Sequence, residues 1–303
     1  YMGSLTRNQA EVRQTLSAYD LIIVVGADPL RMSVWSKVEA LPTDLPIVQI
    51  GLKDWEMGKN FPTELAVRSD VRETLRALTP ALVARGGTEL TDQAKVRLSA
   101  IADSNWSAKR SARRETTLTK SVATPIANDW LMMQITNALP ADGVVVNEGL
   151  TSAWPLLDFL PYRDRWSYHA NASGGIGWAI GAAIGVQLAQ PDRPLIAIIG
   201  DGSAMYSIQA LWTAAHLNLP ITYIIANNKG YRILKQRLKA FHGNDNFIGM
   251  SIDEPEIDFV ALARSLGMSA EAVTAPDAVR PALDSAIASG KPTLLDVAVE
   301  TSI

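Results

Sequence analysis

A chain of 303 residues is long enough for two domains of ordinary size, each with its own core. With 48% hydrophobic and 19% charged residues and a net charge of −3, it reads as globular, without general attraction to nucleic acid or anionic membrane. The absence of cysteine excludes disulfides, thiolate zinc sites, iron–sulfur clusters and a cysteine nucleophile, and makes a reducing cytoplasm the expected home. No long apolar run and no basic-then-apolar start are present, so neither membrane insertion nor export is expected.

The chain starts at Tyr1 and runs straight into a helical pattern, which suggests the later part of something longer. Val12, Leu16 and Tyr19 predict a helix over 8–19, and Leu21–Val25 a buried strand that stops at Gly26-Ala27-Asp28-Pro29. A helix over Ser33–Leu41, a strand over Ile47–Ile50, a short strand over 63–68 and a helix Val71–Leu78 capped by Ser69 or Asp70 follow. This alternation is Rossmann-like. Gly26 does not belong to a GxGxxG, so no dinucleotide fingerprint is present.

Residues 86–123 read as a linker, with Lys95, Arg97, Lys109, Arg110, Arg113 and Arg114 interrupted by Asp92, Asp103 and Glu115. A solvated helix face explains those charges better than a nucleic-acid surface. A second domain, 124–303, opens with a helix over Ile126–Leu139 capped by Asn128 or Asp129. The strand Gly143–Val146 then delivers Asn147-Glu148-Gly149 to a sheet edge.

The segment 194–231 carries the chemistry. Leu195–Ile199 is a buried strand breaking at Gly200-Asp201-Gly202; Ser207–Leu217 has helical spacing, with Ile208, Leu211, Trp212 and Ala215 on one side. A second buried strand, Ile221–Ala226, ends in Asn227-Asn228-Lys229-Gly230. Two such strands joined by a helix form a right-handed βαβ unit, with both carboxyl ends on the edge where open α/β sheets bind ligands. There the Asp201 carboxylate and the Asn228 amide oxygen are hard donors in small number, which suits Mg²⁺ completed by phosphate and water. Ser203 and the amides after Gly202 stand at a helix start that favours phosphate.

Gly200-Asp201-Gly202, followed 27 positions after Asp201 by Asn228, resembles the signature of thiamine diphosphate-dependent enzymes. The runs 171–190, NASGGIGWAIGAAIGVQLAQ, and 200–215, GDGSAMYSIQALWTAA, resemble the benzoylformate decarboxylase branch of that family, over about Asn147–Val299. The resemblance implies an α/β chain of two Rossmann-like three-layer domains with parallel sheets. Residues 1–85 would be the latter part of the central domain and 124–303 the cofactor-binding domain. It also implies Mg²⁺ held by Asp201, Asn228 and the carbonyl of Gly230.

By the same resemblance Thr151 and Ser152 lie near the diphosphate, although helix capping is an equal role for such hydroxyls. The backbone near Gly174 and Gly175 contacts the aminopyrimidine, and Ile176 bends the cofactor. Glycines there allow close approach of a ligand. Gly202 and Ser203 complete the diphosphate cradle, with Tyr231 reaching toward it. Lys229–Ala240 is expected to be a helix at the pocket mouth, where Arg232, Ile233, Leu234 and Arg237 face substrate. The arginines suit a substrate carboxylate, a solvent-facing role or a subunit bridge.

For His169, His216 and His242 a structural role is expected. Phe259–Leu266, Pro276–Ser289 and Thr293–Val299 are expected to finish the sheet as strand, helix and strand. The family's activating glutamate belongs to a pyrimidine-binding domain with no counterpart here, so a preceding segment or separate chain is expected as partner, in a homodimer or dimer of dimers. The expected reaction is non-oxidative decarboxylation of a 2-keto acid, with an acetohydroxyacid synthase-like carboligase or a non-catalytic subunit as alternatives. Where benzoylformate decarboxylase has a catalytic histidine, this chain reads Asp28 to Trp35 with none, the nearest position being about Ser33.

Overall fold

The structure, a computed structural model, describes residues 1–6, 8–30 and 36–303. It divides into two compact units, Tyr1–Asn105 and Trp106–Ile303.

In the first unit, helix α1 (Gln9–Leu16) is capped by Asn8, whose side chain accepts from Ala10 N at 3.0 Å and Glu11 N at 3.4 Å. Strands β1 (Ile22–Val25), β2 (Ile47–Gly51) and β3 (Leu65–Arg68) form a parallel sheet in that order, with Ile22 opposite Ile47 and Val48 opposite Leu65. Of the helix expected over Ser33–Leu41, residues 33–35 lie outside the described residues, and 36–41 are bends and irregular chain instead of helix. The reason is visible in Arg13, whose Nη1 donates to the carbonyls of Glu39 at 3.1 Å and Leu41 at 2.7 Å and so binds them from outside.

Helix α2 (Val71–Ala102) starts where Asp70 accepts from Glu73 N at 3.0 Å and runs far beyond the expected Leu78. Gly87 breaks it with φ 55° and ψ −146°, and none of its residues is buried.

Helix α3 (Trp106–Leu118) begins the second unit and differs from the solvated helix expected of its charges. Trp106 Nε1 donates to Leu157 O at 2.9 Å and Arg110 Nε to Phe159 O at 2.8 Å. Arg113 meets Asp129 at 2.8 Å, and Arg114 donates to Asn137 Oδ1 at 2.7 Å. The basic side chains are thus bound within the unit.

Helix α4 (Asn128–Ala138) is not capped by Asn128 or Asp129, as expected, because both lie inside its first turn. Asn128 instead donates to Glu300, and Asp129 is bound by Arg113 and Lys120. There follow β4 (Val144–Glu148), a 3-10 turn over Leu150–Ala153, α5 (Leu156–Phe159), β5 (Tyr168–Ala170), α6 (Ala179–Ala189) and β6 (Leu195–Gly200). The chain turns directly into α7 (Asp201–Ala204), then α8 (Ala210–His216) and β7 (Ile221–Asn227). On α8, Leu211 and Ala214 are buried, whereas Trp212, expected on that face, is exposed and stacks on His216 at 4.8 Å.

The unit closes with α9 (Arg232–His242), α10 (Phe259–Ser265), β8 (Ser269–Val273), α11 (Val279–Ala288) and β9 (Thr293–Ala298). Phe259–Leu266, expected as a strand, is the helix α10: Asp258 caps it through Ala261 N at 2.8 Å, and Phe259 and Ala263 are buried four apart. The strand is supplied by β8 instead.

All six strands are parallel in the order β5-β4-β6-β7-β9-β8. Alternation along them feeds two cores. Val145, Ile196, Ile198, Ile224 and Leu295 pack with α4, α5 and α11; Val146, Ala197, Ile199, Tyr223 and Ile225 pack with α6, α8 and α10. A sheet covered on both faces needs apolar residues at nearly every position, which is why β6 and β7 are continuous apolar runs. The order in which strands are added reverses between β4 and β6, a switch point where the carboxyl ends open a crevice.

Candidate cofactor site

That crevice gathers the residues singled out in the sequence. Asp201 starts α7 directly after β6 and is 2% exposed; its Oδ1 accepts from Gly202 N and its Oδ2 from Gly230 N, both at 2.8 Å. Burial pushes the carboxyl up from 3.8 to about 6, against the lowering effect of those amides. A carboxylate so far from water is poised to receive a cation.

Asn228 stands beyond the end of β7. Its Nδ2 donates to Ser152 Oγ at 3.3 Å, which fixes the amide and leaves Oδ1 buried with no partner among the described residues. Ser203 Oγ is likewise buried and unpartnered. Orphaned buried acceptors are costly, so these atoms fit a bound cation and its anionic partner. No cluster of three His, Cys, Asp or Glu side chains exists among the described residues. One carboxylate, one amide and the Gly230 carbonyl therefore make a sparse oxygen set of the kind Mg²⁺ takes when phosphate supplies the rest.

Thr151 and Ser152 are both buried in the 3-10 turn after β4. Tyr231 lies over Gly202: a Cβ added there would sit 2.5 Å from Tyr231 Cε1. Burial and the neighbouring Tyr206 raise the Tyr231 hydroxyl. These groups converge from the carboxyl ends of β4, β6 and β7.

The glycine loop joins them through Glu148, at the end of β4, which is 6% exposed. Its Oε1 accepts from Gly177 N at 2.7 Å and its Oε2 from Ala179 N at 2.6 Å. Asn171 accepts from Ser173 N and Gly174 N and donates to the Gly175 carbonyl. Gly174 has φ 79° and Gly177 φ 86°, conformations that favour glycine. Between these anchors Gly174, Gly175 and Ile176 are exposed, with Ile176 at 40%.

Helix α9 starts at Arg232, later than expected, because Lys229, Gly230 and Tyr231 pair with residues 250–252. Arg232 and Ile233 are half-buried, while Leu234 and Arg237 are exposed. Arg232 Nε and Nη1 are buried with no partner among the described residues. The histidines take structural contacts: besides His216, His169 Nε2 bonds with Trp166 O at 3.1 Å and His242 packs edge-on to Phe241 at 4.9 Å. The position near Ser33 lies outside the described residues.

Known proteins supply the family. The model for the thiamine pyrophosphate enzyme central domain matches residues 1–78, and that for the C-terminal TPP-binding domain matches residues 151–297. The chain belongs to the thiamine pyrophosphate enzyme family. Thiamine diphosphate is this family's cofactor, with Mg²⁺ as the usual metal. A benzoylformate decarboxylase of Pseudomonas aeruginosa is 30% identical over 99% of the chain and 52% of its own length. An acetolactate synthase large subunit of Escherichia coli is 26% identical over 99% and 52%. The solved 4-hydroxybenzoylformate decarboxylase of Rhodococcus jostii superposes with TM-score 0.78 at 28% identity, covering 97% of this chain and 51% of that one. The chain spans about half the length of these relatives.

Two side chains of the site have no role in the sequence reading. Glu148 is placed at the sheet edge by its strand, but nothing near it in the chain tells what it binds. Asp296 gives one signal only, a lone acid in the apolar strand Thr293–Ala298.

Proposed function

We propose that this chain forms the diphosphate and Mg²⁺ half of a thiamine diphosphate-dependent enzyme that decarboxylates a 2-keto acid without oxidation. Residues 1–85 are read as the latter part of the central domain and 124–303 as the cofactor-binding domain. The observation that carries the cofactor half is Asn228 Oδ1, buried with no partner among the described residues, two residues before the Gly230 amide that bonds the buried Asp201 carboxylate, itself made reluctant to ionise by burial. The decarboxylase reading is supported by the benzoylformate decarboxylase that aligns along nearly the whole chain.

When bound, thiamine diphosphate supplies the electron sink for the carbanion that decarboxylation leaves. The chain's own work is to bind and orient. Asp201, Asn228 and the Gly230 carbonyl would hold the metal; Thr151, Ser152, Gly202, Ser203 and Tyr231 would line the diphosphate. The Gly174–Ile176 loop, fixed by Glu148 and Asn171, would set the aminopyrimidine and the bend. Arg232, with two unpaired buried donors, would take the substrate carboxylate, and Ile233, Leu234 and Arg237 would shape the mouth. The activating glutamate would come from a pyrimidine-binding domain, in a preceding segment or a separate chain, within a homodimer or dimer of dimers.

Titration with thiamine diphosphate in the presence and absence of Mg²⁺ tests the first half of the reading. Saturable binding that needs Mg²⁺ and vanishes in Asp201→Ala is expected; tight binding by the variant overturns it. Acetolactate synthases among the relatives favour a second reading, a carboligase. With the pyrimidine-binding domain supplied, benzaldehyde from benzoylformate or acetaldehyde from pyruvate marks a decarboxylase, and acetolactate a carboligase.

A further inference from the structure

Three arginines of the second unit, Arg110, Arg114 and Arg163, are held by neutral oxygens alone. Arg110 and Arg114 lie four residues apart on α3, so their side chains are neighbours on one helix face. Arg163 comes shortly after the end of α5. Arg110 Nε donates to the carbonyl of Phe159, the last residue of α5, at 2.8 Å. Arg114 Nη1 donates to Asn137 Oδ1, near the end of α4, at 2.7 Å, and Arg163 Nη1 to the carbonyl of Pro140, just past α4, at 2.6 Å. The ends of α4 and α5 thus gather all three side chains. Burial first, and then the charges of Arg114 and Arg163, lower the Arg110 guanidinium below its ordinary value, which is the electrostatic mark of that closeness.

Each of these bonds uses one N–H of a guanidinium that offers several. No second hydrogen bond and no ion pair engages any of the three among the described residues. The carboxylates close by are committed elsewhere. Asp129 is held by Arg113 at 2.8 Å and by Lys120, and Asp158 lies 3.9 Å from Arg113. Asp164, next to Arg163 in the chain, is bound by Arg193 at 3.1 Å. Glu115 follows Arg114 on α3, but successive positions of a helix do not face each other. Like charges on one helix face cost stability, and an anion that met them would remove that cost.

Geometry decides which anion. A carboxylate offers its oxygens in one plane and is satisfied by a single guanidinium fork. Phosphate carries more charge and presents its oxygens tetrahedrally, so it takes donors from several directions at once. The Trp106 ring, 5.5 Å from the Arg110 guanidinium, helps to hold one of those donors in place.

We propose that Arg110, Arg114 and Arg163 form a site for a phosphate dianion, free or as the monoester of a small metabolite. The phosphate oxygens accept from the N–H groups that the helix ends leave over, and the ligand ties α3 to the ends of α4 and α5. None of these residues enters the cofactor site, so failure here would leave the thiamine diphosphate reading untouched.

Calorimetric titration of the full chain with inorganic phosphate and with glycerol 3-phosphate, with EDTA in place of Mg²⁺, tests it. Saturable binding is expected, weakening as sodium chloride is raised. Equal affinities mark a site for free phosphate and tighter binding of the ester a site for a phosphorylated metabolite; both uphold the assignment. Arg114→Gln and Arg163→Gln, the latter at an exposed position, are each expected to weaken binding about tenfold, the effect of one charge-assisted hydrogen bond, while circular dichroism stays that of the parent. Amide hydrogen exchange along α3 is expected to slow on addition of phosphate in the parent and not in the variants. No saturable binding, binding that needs Mg²⁺, an affinity unchanged in both variants, or a preference for a glutamate-rich peptide over phosphate overturns the proposal.

Discussion

Asn227 Nδ2 donates to Asp296 Oδ1 at 3.1 Å, so the carboxyl end of β7 is tied sideways to β9. The same Asn227 accepts Lys229 N on its Oδ1 at 3.2 Å, closing a turn in which Lys229 holds φ 58°. That turn brings the Gly230 amide onto Asp201 Oδ2 at 2.8 Å. Replacing Asp296 by Leu leaves the Asn227 amide without its anchor, and about 1–3 kcal/mol of stability is expected to go with it. Mg²⁺-dependent binding of thiamine diphosphate is expected to weaken about tenfold. Asp296→Asn keeps an acceptor oxygen and is expected to restore most of the affinity. Fluorescence titration of both variants checks this; equal affinities in wild type and Leu variant would show that Asp296 does not position the turn.

Asp201 makes a prediction about pH. Its pKa in the folded chain lies near 6, above the ordinary 3.8, because burial penalises the charged form. The sign follows from linkage: the folded chain holds this proton more tightly than the unfolded chain. The contribution to stability is therefore fully present below pH 3.8 and is lost as pH rises through about 6, in the absence of metal. The loss is about 3 kcal/mol on the full shift. Other carboxylates have their own slopes, so the measurement is the difference between wild type and Asp201→Asn in urea unfolding from about pH 4 to 7. Wild type is expected to lose stability relative to the variant across that window, and a constant difference would refute the assignment.

How far the sequence foretells these features depends on whether a residue's partner is near in the chain. The runs Leu195–Gly200 and Ile221–Asn227 announce buried parallel strands by themselves, and Asp201 and Asn228 follow directly from the strand ends. The error at Phe259–Leu266 arises because a short apolar segment fits strand and helix alike; the Asp258 cap is the local sign that separates them. Asp129 reads as a cap in the sequence because its partners, Arg113 and Lys120, come from a stretch whose charges read as solvated. Asp296 lies 69 residues from Asn227, and no spacing rule links such a pair. The meeting of Arg163 with Arg110 and Arg114 is still less legible, since it depends on how α3 lies against the ends of α4 and α5.

Gly230 tests the geometry of the proposed metal-binding turn by sterics alone. A Cβ at this position would come within 2.6 Å of the Met250 carbonyl oxygen, a backbone atom that cannot swing aside. That carbonyl accepts Tyr231 N at 2.9 Å, and Ile252 N donates to Lys229 O at 2.9 Å, so residues 250–252 are fastened to the turn. Gly230→Ala is expected to push the two segments apart at a cost of about 1–3 kcal/mol. Cofactor affinity is expected to fall more than tenfold, and hydrogen exchange at Tyr231 and Ile252 to quicken. A variant with parental exchange and affinity would mean the turn tolerates a displacement that its packing forbids.

Glu148 offers the clearest separation of binding from chemistry, because its side chain holds the loop and not the proposed metal donors. Both carboxylate oxygens are committed to backbone amides, Gly177 N at 2.7 Å and Ala179 N at 2.6 Å, in a nearly solvent-free setting. Glu148→Ala strands both donors at the entrance to α6 and is expected to cost about 2–4 kcal/mol. Glu148→Gln retains one acceptor oxygen but turns an N–H toward the other amide, so an intermediate loss is expected. The loop carrying Gly174 and Ile176 then loses its link to β4, and exchange of the Gly177 and Ala179 amides is expected to rise well above that of the neighbouring α6 amides. Mg²⁺-dependent diphosphate binding, which we propose rests on Asp201 and Asn228, is expected to survive in the Glu148→Gln variant at within a few-fold of wild type. Pyrophosphate with Mg²⁺ serves as the probe that needs no aminopyrimidine contact. If its affinity falls as steeply as that of thiamine diphosphate, Glu148 supports the metal donors too, and the division of labour between the loop and the β6–β7 edge is wrong.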